Sequence, residues 1–147
     1  MTKKIDAMAM LQRMREKAQT GLQAGTWFTT LAGNVGVELF GTVTRIFEYE
    51  YDDEKRLAFE LRLEADVAFD VIVDKNTIVL AELKAGDLVL VPLSGQLRYL
   101  FEKCNVMPGT LAYLKYEGKD EAKKIRGNHP HTWTYAFADP SRDEVSN

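Results

Sequence analysis

Cysteine occurs once in the chain, at Cys104. No intramolecular disulfide can form, and a reducing compartment is expected. No window approaches the roughly 18 consecutive apolar residues that a membrane-spanning helix needs. The opening MTKKIDAMAMLQRMREKAQ has no apolar core of the secretory kind, so the expectation is a cytoplasmic protein without a membrane partner. An excess of positive charge is missing too: the formal net charge is −3. That excludes an all-over basic nucleic-acid binder and leaves a local basic patch open, because a stripe of charge steers a ligand whatever the total.

Catalytic motifs are also lacking. Ser94 precedes an apolar helical pattern, and Ser141 and Ser146 lie in the polar tail, none within a G-x-S-x-G turn. The glycines spell neither a phosphate loop nor a dinucleotide fingerprint. The acidic run Glu48, Glu50, Asp52, Asp53, Glu54 has no calcium-loop glycine and alternates with Tyr49 and Tyr51, which reads as a solvated edge. His129 and His131 stand two apart, so on a strand both rings share a face, but a metal site wants three or four ligands. Cys104 belongs to an apolar helical stripe, and Pro130 separates the histidines. The expectation is a protein that is not an enzyme, with no metal and no cofactor.

What is present is one domain's worth of patterned chain: 147 residues, 46% hydrophobic and 28% charged. Residues 3 to 24 predict an amphipathic helix, with Leu11, Met14, Ala18 and Leu22 at helical spacing and five basic residues against two acidic ones. Its apolar face packs on the body or on a second subunit, so a homo-oligomer through this helix is expected. From Val37 the period changes to two. VELFGTVTRIFEYEY forms one strand, DDEK a turn, and Leu57, Phe59, Leu61, Leu63, Val67, Phe69, Val71 and Val73 a bent strand or two in succession. Gly41 inside the first strand suggests a bulge or sharp bend.

Strand material follows in TIVLAELKAGDLVLVPL, with residues 85 to 87 turning. Leu97, Leu100, Phe101 and Cys104 then predict a helix N-capped by Ser94 and stopped before Pro108-Gly109. TLAYLKYEG and TWTYAFA close the chain as two strands, followed by a polar tail over 139–147. The order predicts a mainly β fold: an OB-fold, a five-stranded Greek-key β-barrel over 25–138 with a helix between strands 3 and 4 and an additional N-terminal helix over 1–24.

GKDEAKKIRGNHPHTW lies between those last two strands. Residues 115 to 131 hold five basic side chains (Lys115, Lys119, Lys123, Lys124, Arg126) against three acidic ones, a local charge of +2 in an acidic protein. Tyr113, Tyr116, Trp133, Tyr135 and Phe137 flank it. Basic residues that follow phosphates beside aromatics that stack on bases are the recipe for binding single-stranded nucleic acid. The plain alternative is that the aromatics are core and the lysines keep an exposed hairpin soluble.

The arrangement resembles the OB-fold single-stranded DNA-binding proteins, particularly phage-encoded ones. The resemblance rests on GTWFTTLAGNVGVELFGTV as an aromatic entry into the first barrel strand, on the helix before the last hairpin, and on LAYLKYEGKDEAKKIRGNHPHTWTYAFA as strands 4 and 5 with a basic loop. It implies largely sequence-independent binding of single-stranded DNA, or RNA, in replication or recombination. Lys115, Lys119, Lys123, Lys124 and Arg126 would meet phosphates, Trp133, Tyr116 and Trp27 would stack on bases, and Arg45 and Arg62 would line the groove. The chain departs from that pattern in an acidic first loop, Tyr51 to Arg56, and in its short tail. The rival reading is a structural or adaptor β-barrel mediating protein–protein assembly, as in a phage virion component.

Overall fold

A computed structural model describes residues 25–120, 130–140 and 144–146. The expected N-terminal helix lies outside the described residues. The strands, in chain order, are β1 (Thr26–Trp27), β2 (Glu38–Tyr51), β3 (Glu54–Leu63), β4 (Val67–Asp74), β5 (Thr77–Leu83), β6 (Leu88–Pro92), β7 (Leu111–Lys119), β8 (His131–Asp139) and β9 (Glu144–Ser146). Among the described residues one α-helix, α1 (Gly95–Lys103), falls between β6 and β7, where the apolar stripe predicted it. The protein is mainly β, as expected.

Seven strands form one sheet in the order β1-β6-β3-β2-β7-β8-β9, and β4 and β5 form a separate hairpin. Two expectations are corrected here. The sheet is open, not a closed barrel: β6 takes β1 in parallel along its outer edge, with Thr26 opposite Val89 and Trp27 opposite Leu90. At the other end β8 takes β9, with Phe137 opposite Ser146. The two edges that would have to meet for closure are each occupied by a short strand. Residues 66 to 86 are the second correction, because they hold a hairpin of their own beyond the five strands expected. That alternation at 67–73 belongs to a separate sheet is a matter of partner, and period alone does not name the partner.

Local chemistry accounts for the turns and bends. Asp52 and Asp53 have φ of 51° and 61°. This two-residue connection has the primed-turn geometry that matches strand twist, and aspartate tolerates it better than most residues. Gly41 sits where β2 is squeezed between β3 and β7. A Cβ there would come 2.3 Å from the Arg62 carbonyl oxygen and 2.9 Å from Leu61 Cγ. Three residues on, the β2–β3 register shifts: Val43 faces Leu61, Arg45 faces Glu60, and Thr44 is the extra residue of a bulge.

The core lies on the face of the large sheet carrying Leu39, Val43, Phe59, Leu61, Val89, Val91 and Leu114, all buried. Leu97, Leu100 and Phe101 of α1 close over it, with the Phe101 ring 4.5 Å from Phe59 and 5.5 Å from Phe137. Cys104 packs against this cluster, as its stripe position implied. Ser94 occupies the N-cap position but makes no capping bond through its side chain. A second aromatic group, Phe28, Phe69, Tyr116 and Trp133, ties the segment after β1 and β4 to β7 and β8, with centroids 5.1 to 6.1 Å from Phe28. Asn34 is fully buried beside them: its amide donates to the carbonyls of Thr29 (2.8 Å) and Asp70 (2.9 Å) and accepts from the Asp70 N–H (2.7 Å). Every polar atom of that side chain is satisfied, which burial demands. Among the described residues no helix is long and apolar enough to cross a membrane.

Gly41→Val is expected to destabilise the fold by about 1–3 kcal/mol, the usual cost of overpacking. The check is a urea-unfolding midpoint lowered at unchanged slope.

Candidate nucleic-acid interface

The bulge at Thr44 decides which side chains of β2 face water. Before it, Leu39, Gly41 and Val43 point into the core. After it, the odd-numbered residues change sides: Arg45 pairs with Glu60, Phe47 with Ala58, Tyr49 with Arg56 and Tyr51 with Glu54. Directly paired residues on neighbouring strands project from the same face. Arg45, Phe47, Tyr49 and Tyr51 therefore lie with Arg56 on the outer surface, while Ile46, Glu48 and Glu50 project from the opposite one.

Glu60 holds the bulge in place. Its carboxylate is nearly buried and accepts from the Thr44 hydroxyl at 2.7 Å and from Arg45 Nε and Nη2 at 3.1 and 3.0 Å. The Arg45 guanidinium also lies over the Phe47 ring, 4.5 Å from its centroid. Leu90 of β6 pairs with both Glu60 and Trp27, so Trp27 joins the same outer face. Trp27 of β1 thus faces outward, and Phe28, the residue after it, goes into the core.

The result is an open aromatic shelf. Trp27 stands 4.9 Å from Tyr49 and 6.4 Å from Phe47, centroid to centroid. Arg56 lies 5.0 Å over Tyr51. Beside the shelf is a cleft of about 470 Å³, lined by Trp27, Thr29, Thr30, Tyr49, Tyr51, Arg56 and Pro92 among others. Two smaller clefts adjoin it, one lined by Lys55, Ser94 and Arg98 and the other by Thr30, Ser94, Pro130 and His131. The groove therefore runs from the tip of the β2–β3 hairpin to the root of the basic loop. Burial raises the Tyr49 phenol above its ordinary value, with Arg56 pulling it down less strongly, so the ring stays neutral at working pH.

The residues proposed from sequence divide into three groups. Trp27 lines the main cleft. Arg45 and Arg62 share the outer face, but Arg45 is committed to Glu60, and Arg62, half exposed, lies 3.8 Å from Glu64. Lys119 is exposed beside His131 at the mouth of the basic loop, and Lys115 is half-buried on β7. Lys123, Lys124, Arg126 and His129 lie outside the described residues.

Tyr116 and Trp133 are corrected. They are 2% and 7% exposed, pack on each other at 5.2 Å and face the core, so neither offers a ring to a base. Register explains it: they are directly paired on β7 and β8, on the core side of both strands. Phe47, Tyr49, Tyr51, Lys55, Arg56 and Arg98, which border the clefts, are not among the residues the sequence singled out. The alternation of Phe47, Tyr49 and Tyr51 with glutamates was the available signal, and it was read as a solvated edge.

Both ring nitrogens of His131 face hydroxyls. Nδ1 is 2.6 Å from the Tyr116 hydroxyl and Nε2 is 3.5 Å from Thr30 Oγ1. Among the described residues no group of three histidine, cysteine or carboxylate side chains is arranged to hold a metal ion. Compared with protein-family models, curated proteins and solved structures, the chain has no match.

Burial, and secondarily Lys119, lowers the His131 pKa below its ordinary 6.5. As pH falls through 6.5 the unfolded chain takes up a proton that the folded ring still refuses. Stability present above that pH is lost down to the folded pKa. His131→Gln is expected to flatten this part of the stability–pH curve, measured by urea unfolding from pH 8 to 5. Glu60→Gln keeps an acceptor for Thr44 but weakens the Arg45 contact. An expected loss of about 1–2 kcal/mol, at the low end for a charged hydrogen bond because Arg45 is one-third exposed, is checked by the same unfolding.

Proposed function

We propose that the chain binds single-stranded nucleic acid, DNA in the first instance, along the groove between the β2–β3 tip and the β7–β8 loop, and that its architecture is of the OB-fold kind. The observation that carries this reading is the half-buried cluster of Trp27, Phe47 and Tyr49 on the outer face of the sheet, with exposed Tyr51 beside it and Arg56, Lys55 and Arg98 along the adjoining clefts. Stacked aromatics give each base a platform with little sequence preference, and interleaved cations meet the phosphates. Glu48 projects away from the groove, whereas Glu54 of the first loop shares the groove face and is paired with Arg56 at 3.2 Å. Support for the architecture comes from the strand order β6-β3-β2-β7-β8 with a helix between β6 and β7, the path expected for strands 3-2-1-4-5. The role in replication or recombination rests on the resemblance alone.

Titration with dye-labelled oligo-dT, followed by the anisotropy of the label so that wild type and Trp27 variants are read alike, is the test. Binding is expected at about 50 mM salt and weakens as salt rises. Trp27→Ala and Tyr49→Ala each cost about 1–3 kcal/mol of binding with the salt slope unchanged. Changing Lys123, Lys124 and Arg126 together to alanine lowers the slope of log K against log salt by about 2, from roughly 0.7 per phosphate contact. No binding at low salt overturns the proposal, and an unchanged slope removes the loop from the site.

A further inference from the structure

The β4–β5 hairpin carries an apolar surface that the nucleic-acid reading does not use. Ile72, Val73, Ile78, Val79 and Leu80 are between 42% and 59% exposed on one short ribbon. Its base is anchored by Phe69, buried against Phe28 at 5.1 Å. Val67, Val71 and Leu83 also pack against the core, and among the described residues the ribbon's only strand partnership is its own. Two strands alone are marginal in water. An exposed edge rich in β-branched residues invites pairing unless proline, lysine or a bulge protects it. The β5 sequence TIVLAEL contains neither proline nor lysine, and Glu82 is its one charge.

We infer that a second copy of this chain covers the hairpin, through antiparallel pairing of β5 with β5 about a two-fold axis at Val79. The register follows from the sequence. Centred on Val79, Val79 meets Val79 of the second copy and Ile78 meets its Leu80, so the aliphatic side chains meet each other. Centring on Leu80 instead would oppose Ile78 to Glu82. The Val79 register also brings the tip of one hairpin, with Asp74 and Lys75, to the base of the other, with Glu82 and Lys84. Opposite charges are then available on both sides of the axis.

A two-fold contact needs a surface complementary to itself, and this edge provides one. The four-stranded sheet β4-β5-β5-β4 supplies the width that the lone hairpin lacks. The seam is small beside the roughly 800 Å² per partner of a standard interface, so an exchanging dimer of micromolar affinity is expected.

Sedimentation of the full chain from low to high micromolar concentration tests this. The wild type is expected to move from monomer to dimer. Val79→Lys sets two ammonium groups face to face and weakens the dimer by about a hundredfold, and Val79→Glu does the same with carboxylates. An equimolar mixture of the two variants restores a dimer, which only residues adjacent across the axis can do. Circular dichroism and retained oligo-dT binding check that each variant is folded.

Val79→Cys in a Cys104→Ala background gives a second reading, by forming an intermolecular disulfide faster than a Glu48→Cys control. A wild type that stays monomeric overturns the inference. So does an oligomer that survives Val79→Lys, since another surface, the N-terminal segment included, would then hold it. A mixture that fails to pair, or cross-linking no faster than the control, overturns it as well.

Discussion

A single extra residue in β2 determines which chemistry this protein presents to solvent. Strand side chains alternate with period two, so inserting Thr44 moves every later residue to the opposite face. The bulge is costly in ladder hydrogen bonds and holds because Glu60 satisfies it from the neighbouring strand. One oxygen of the carboxylate takes the Thr44 hydroxyl and the other takes the Arg45 guanidinium. Arg45 in turn lies on Phe47, the first ring of the shelf. A nearly buried carboxylate with a partner for each oxygen is tolerable where an unpaired one would not be.

The same insertion resolves the conflict within the acidic stretch from Glu48 to Glu54. Written linearly, aromatics and acids are mixed and seem to cancel. Folded, the ribbon is partly sorted: the rings and arginines share one face with Glu54, which is paired with Arg56, while Ile46, Glu48, Glu50 and Lys55 take the other. Glu50 reaches the rim of the groove, so the separation is not complete there. Repulsion between the acids and a polyanion is weakened by distance and by salt, since the screening length is about 8 Å at physiological ionic strength. Arg56 and Lys55, across the hairpin, are nearer to the groove than Glu48 is.

Apolar surface is distributed unevenly over the molecule. Around Trp27 it is interleaved with cations and shaped into a cleft, the form suited to flat, charged ligands. On β4–β5 it is aliphatic, convex and flanked by mixed charge, the form suited to another strand. Phe28 connects the two regions, touching Phe69 at the hairpin base and Trp133 beneath the groove, while its neighbour Trp27 forms the shelf. Asn34 adds a polar tie between the same segments, binding the loop after β1 to the backbone of β4.

Periodicity by itself determined the mainly β character, the β2–β3 turn, the turn near Gly86, and the helix with its buried Leu97, Leu100 and Phe101. These are local properties: short-range spacing selects strand or helix before any distant contact forms. The bend at Gly41 was legible for the same reason, since glycine within a β-patterned run signals close approach. Trp27 was legible as an aromatic at the entry to the first strand. Face and partner were not legible. Tyr116 and Trp133 looked like ring donors beside a basic loop, and only their pairing in register on β7 and β8 turned them into core. Phe47, Tyr49 and Tyr51 looked like an edge, and only the bulge held by Glu60 made them a surface. Residues 67 to 83 read as strand, and only tertiary pairing separated them from the large sheet and left it open. Alternation states that two faces exist; which one meets water depends on contacts between residues far apart in the chain.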